Sequence, residues 1–178
     1  MSQPTSSFLQ NVNTESSKAT YSAVISDFVP VANATDFFTI SGSSSKIITI
    51  TALRVNGAAS VSAFSNIYVY KRTAANTGGT SSVITSCIHD SSDPAATAVV
   101  RSYSANPSAL GTGAILRSEH VSFSSAAAGN LVTYWNFVDR GSKSVKLNNT
   151  NEFLCFNFGG NAVPSGANIH ATIEWTEE

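Results

Sequence analysis

Lys46-Ile47-Ile48-Thr49-Ile50-Thr51-Ala52-Leu53-Arg54-Val55 decides the fold class of this chain. Its Ile, Thr and Val residues branch at Cβ, which stiffens χ1 and favours an extended backbone over a helical one. The turn Ser41-Gly42-Ser43-Ser44-Ser45 leads into it, and Asn56-Gly57 predicts its end. Working outward, Asn66-Ile67-Tyr68-Val69-Tyr70-Lys71-Arg72 places both tyrosines on one face, opposite Ile67, Val69 and Lys71. That two-residue alternation is the mark of a sheet strand.

Other segments read the same way. Tyr21 to Val29 predicts a first strand stopped at Pro30, and Asp36-Phe37-Phe38-Thr39-Ile40 a short apolar one. Ser82 to His89 predicts a single strand, and Ala95 to Ala105 reads better as strand than as helix because of Thr97, Val99, Val100 and Tyr103. Strands are further expected at Ala114–Phe123, around Trp135, at Ser144–Leu147 and at Glu152–Phe158. In the last run, Ile169, Ala171, Ile173 and Trp175 share one face, with His170, Thr172 and Glu174 on the other. Eight to ten short strands without an amphipathic helix must bury their apolar faces against another sheet, in a sandwich or a barrel. The expectation is an all-β antiparallel β-sandwich, jelly-roll or immunoglobulin-like, over residues 21–178, with an extended N-terminal arm over 1–20.

Composition narrows the function classes. Charged residues are 12% of the 178, with a net charge of -1, while Ser and Thr together fill 46 positions. Nucleic-acid binders carry an excess of lysine and arginine that this chain lacks. Membrane helices need about 20 apolar residues in a row, and no run approaches that. The start, Met1 to Phe8, has no basic and then apolar stretch of the signal-peptide kind, so synthesis in the cytoplasm is expected.

Candidate chemical sites are weak. His89, His120 and His170 have no ligand spacing, and Cys87 and Cys155 form no CxxC pair. A disulfide between these two has no local support, and Cys155 reads as a small buried hydrophobe. Asp90 and Asp93 read as Asx-type turn residues, and Gly78-Gly79 and Gly159-Gly160 as turns. No G-x-S-x-G marks a nucleophile, and Glu119, Asp139, Glu152 and Glu174 qualify as acids only because acids are few. No enzyme activity, metal or cofactor is expected. Tyr68, Tyr70, Tyr103, Tyr134 and Trp135 offer a stacking surface for a sugar only if they leave the core. The arm is polar except at Phe8, Leu9 and Val12, which are the residues expected to grip a partner.

The run Tyr21 to Val55, the segment Tyr68-Val69-Tyr70-Lys71-Arg72 with Thr73 to Thr80, and the ending Ile169 to Glu178 resemble small β-sandwich proteins of tailed bacteriophages. The similarity is strongest at Lys71-Arg72-Thr73 before Asn76-Thr77-Gly78-Gly79, at His89-Asp90, and at Ile173-Glu174-Trp175-Thr176-Glu177-Glu178. The resemblance implies a virion component assembled in the host cytoplasm, first of all a capsid decoration or cement protein stabilising the outside of the head. Its implied partners are the major capsid protein, other virion proteins and further copies of itself, with a trimer among the options. It carries no catalytic motif. The alternative it leaves open is a tail, fibre or receptor-binding subunit that touches host glycan.

Overall fold

The computed structural model describes residues 18–125, 132–138 and 143–178. The regular elements among them are all strands: β1 (Ala19–Phe28), β2 (Asp36–Ser41), β3 (Ile48–Ala58), β4 (Ala63–Arg72), β5 (Thr80–Ile84), β6 (Cys87–Ile88), β7 (Val99–Ala105), β8 (Gly113–Ser124), β9 (Thr133–Asn136), β10 (Val145–Leu147), β11 (Phe153–Asn157) and β12 (Asn168–Glu177). They form one hydrogen-bonded sheet in the order β5-β7-β2-β11-β4-β8-β3-β12-β1-β6, with β9 and β10 also paired to β3.

The order itself requires the sheet to curl. Strands β5 and β6 stand at opposite ends of it, yet only Thr85 and Ser86 separate them along the chain. Three residue steps reach about 11 Å at most, whereas ten strands laid flat would hold their outer members about 40 Å apart. The ends therefore come round to meet, and β1 touches β5. Inside the curl, Ile67 and Val69 of β4 are buried with Tyr21, Ala23 and Ile25 of β1 and Ile169, Ala171, Ile173 and Trp175 of β12. Aromatic contacts cross the interior: Trp135 to Phe156 at 5.9 Å and Phe28 to Phe37 at 6.0 Å between ring centroids.

Several sequence expectations need correction. Asn56-Gly57 does not end β3: both pair with β12, opposite His170 and Ile169. The glycine is there for space, because a Cβ on Gly57 would stand 2.3 Å from Cε1 of Phe123. Ser82 to His89 is not one strand. It breaks at Thr85-Ser86 because β5 pairs with β7 while β6 pairs with β1. The strand expected within Ala95–Ala105 starts only at Val99. Twelve strands among the described residues replace eight to ten, and β3 meets β8 in a short parallel contact at Gly57 and Ala58. The first strand begins at Ala19, two residues inside the expected arm. Phe8, Leu9 and Val12 lie outside the described residues.

Candidate functional site

Asp36 opens β2 and Arg72 closes β4, on either side of β11. Both are buried, Asp36 completely. Arg72 Nε donates to Asp36 Oδ2 at 2.6 Å and Nη2 donates to Oδ1 at 2.8 Å, a two-pronged pair. Asn76 Nδ2 donates to Oδ2 at 2.8 Å, and Asn157 Nδ2 donates to Oδ1. The carboxylate thus accepts four hydrogen bonds, which offsets the cost of taking it out of water. The remaining guanidinium nitrogen, Nη1, donates to the Gly111 carbonyl at 2.7 Å, and Gly111 N–H donates to Asn76 Oδ1 at 2.9 Å. The guanidinium also lies over the Tyr70 ring, 4.6 Å from its centroid. Burial pulls the Arg72 pKa down, but its bonds to Asp36 outweigh this and hold it above the ordinary value.

A second carboxylate does similar work at the far end of the chain. Glu177 takes Thr97 N–H at 3.0 Å, Thr97 Oγ1–H at 2.6 Å, Ala98 N–H at 3.1 Å and the Trp175 indole N–H at 3.0 Å. Tyr21 stacks on Trp175 at 5.7 Å and donates to the Pro94 carbonyl at 2.8 Å. Burial, then the charges of Glu177 and Asp93, raise the Tyr21 pKa and keep it a donor. Each carboxylate is a clasp: one pins the loops after β4 and before β8 to the sheet, the other pins the segment between β6 and β7.

Neither cluster is poised for catalysis by the residues present. The oxygens of Asp36 are already spoken for by four donors. Cys155 adjoins the pair, but burial and then the Asp36 charge push its thiol far up, away from the reactive thiolate. Cys155 is buried, Cys87 is exposed, and both are free. Among the described residues no three His, Cys, Asp or Glu side chains gather as metal ligands do. His170 Nε2 lies 3.6 Å from Asp27 Oδ1, while His120 sits exposed on β8 and His89 follows β6.

Of the sequence candidates, Asp90 makes the expected Asx turn, accepting from Ser92 N–H at 2.9 Å. Gly78-Gly79 and Gly159-Gly160 turn with φ between 67° and 75°. Glu152 pairs with Lys71 and Glu174 with Arg54, Glu119 is exposed on β8, and Asp139 lies outside the described residues. The five aromatics divide. Tyr68 and Tyr70 are neighbours at 6.3 Å, and Tyr103 reaches Asn76 of the Asp36 cluster. Tyr134 sits elsewhere beneath Arg54, and Trp135 is buried. Sequence reading missed the clasps. Asp36 set directly against Phe37-Phe38 was the one available signal.

The other distinctive feature is the edge of β8. Its residues pair with β4 along almost all of its length, but among the described residues the opposite edge pairs only with β3, at Phe123 and Ser124. From Gly113 to His120 every residue except Leu116 is exposed, Ile115 to 52%. No protein-family model, curated protein or solved structure matches this chain.

Proposed function

We propose that this chain is a non-enzymatic structural subunit of a tailed-phage particle, first of all a decoration or cement protein on the outside of the head. The observation that carries the reading is the edge of β8, which among the described residues is open from Gly113 to Ser122. A strand with unpaired backbone donors and acceptors along one edge is a site where another chain adds a strand. The side chains around it favour packing between copies. Thr80, Ser82, Ser104, Ala114 and Ser118 are among the exposed residues of β5, β7 and β8, and small side chains of this kind lose little side-chain entropy when covered. The clasps at Asp36 and Glu177 suit a particle part, since they tie the loops after β4, before β8 and before β7 to the sheet, where local opening would expose them to proteases. Within this reading the two flanks of the curled sheet, β5-β7-β2-β11-β4-β8 and β3-β12-β1-β6, are the layers of a jelly-roll-like sandwich. The interior contacts between Trp135 and Phe156 and between Phe28 and Phe37 support it.

Electron cryo-microscopy of the intact particle, with the chain located in the map, tests the placement. Density on the head lattice, with β8 against a neighbouring subunit, is expected. Density confined to the tail supports the second reading, a receptor-binding subunit, which the adjacent Tyr68 and Tyr70 rings favour. Absence from the particle overturns both.

A further inference from the structure

The five lysines, Lys18, Lys46, Lys71, Lys143 and Lys146, gather at one end of the curled sheet. Glu178 links most of them. Its carboxylate receives Lys18 at 3.0 Å and Lys146 at 2.8 Å, and its backbone pairs with Ile47, next to Lys46. Lys71 Nζ donates to the Lys146 carbonyl at 2.8 Å and lies 3.3 Å from Glu152. Lys71, Lys143, Ser144, Lys146 and Asn148 line an open hollow of about 610 Å³. Asp90 and Asp93 belong to the segment after β6, outside this lining.

We propose that this hollow is a docking site for an acidic protein segment, an extended stretch rich in Asp or Glu on a partner chain. Three lysines line the hollow, of which Lys71 pairs with Glu152 and Lys146 with Glu178, a carboxylate shared with Lys18. Positive charge is therefore in excess among the described residues. The Lys71 and Lys146 heads are held by their own hydrogen bonds, so binding orders fewer free side chains. The lining favours carboxylate over phosphate. Among the described residues it contains no arginine, whose planar fork suits phosphate best, and no aromatic ring on which a base could stack. Asn148 and Ser144 supply neutral groups for the backbone of the incoming segment. This inference is independent of which part of a particle, if any, the protein occupies.

The test uses the full chain and a fluorescein-labelled octaglutamate peptide, read by anisotropy at low and physiological salt. Binding that weakens as salt rises is expected. Lys143→Gln, an exposed change, should weaken it about two- to five-fold, and K143Q/K146Q correspondingly more. Arg101→Gln, distant from the hollow, should leave it unchanged. Melting curves confirm that each variant folds. The proposal is overturned if octaglutamate fails to bind at low salt, or if K143Q/K146Q binds it as well as the parent. It is likewise overturned if inorganic phosphate or a single-stranded oligonucleotide binds more tightly through the same lysines.

Discussion

Asp36 shows how a charge survives in an interior of this kind. Its four donors come from three separate parts of the chain: Arg72 at the end of β4, Asn76 in the following loop and Asn157 at the end of β11. Removing one partner leaves the others facing an empty acceptor, and breaking a buried pair costs about 3–5 kcal/mol. Asp36→Ala should therefore lower the unfolding free energy by that amount in urea titrations. A loss below about 1 kcal/mol would show that water replaces the carboxylate freely. Cys155 beside it gives a chemical readout of the same burial. Iodoacetamide should modify Cys87 in the native protein, and Cys155 only after denaturant is added, as mass spectrometry of the digested chain will report. Early labelling at Cys155 would mean that the cluster opens.

Strand identity was legible in the sequence where one face is buried and the other solvated. The alternation of Ile169, Ala171, Ile173 and Trp175 is reproduced in β12, as is that of Ile67 and Val69 in β4. It was illegible where partners, not periodicity, set the boundary. Asn56-Gly57 has turn chemistry, yet the β12 ladder carries the strand through it and the Phe123 ring takes the space of the missing side chain. Gly57→Ala should displace that ring and cost about 1–3 kcal/mol, the usual range for overpacking; an unchanged urea midpoint would refute the close approach. Thr85-Ser86 broke an apparent strand because its two halves join different flanks, a fact no local pattern carries. The clasps were hidden for the same reason, since Glu177 and Thr97 are 80 residues apart. The Glu177 contact is also what holds the segment before β7. Glu177→Gln keeps the shape but weakens the charged acceptor, so hydrogen exchange at the Thr97 and Ala98 amides should speed up while exchange in β12 stays slow. Equal protection in both proteins would show that the clasp does not hold that segment.

The molecule as a whole is polarised. The lysines collect where β1 starts and β12 ends, while exposed Val29 follows the other end of β1 and exposed Val61 and Phe64 stand near the start of β4. Glu178 ties the lysine end together, joining residues before β1, in β10 and after β12. Hydrogen bonds from Lys146 and then Lys18 hold its carboxyl below the ordinary value of 4.5. Because the folded value is the lower one, the stabilisation is fully present above 4.5 and is lost as pH falls through the folded value. The carboxyl is solvated, so the effect on global stability is small, under about 1 kcal/mol. The titration itself is the sharper measurement. Followed by carboxyl-carbon NMR, Glu178 should titrate below 4.5 in the parent protein and move up toward 4.5 in Lys146→Gln, since the first of its two donors is then gone. High salt should shift the parent in the same direction. A midpoint that ignores both the substitution and the salt would mean that the lysines do not grip the chain end, and the lysine end would then be a solvated surface without internal order.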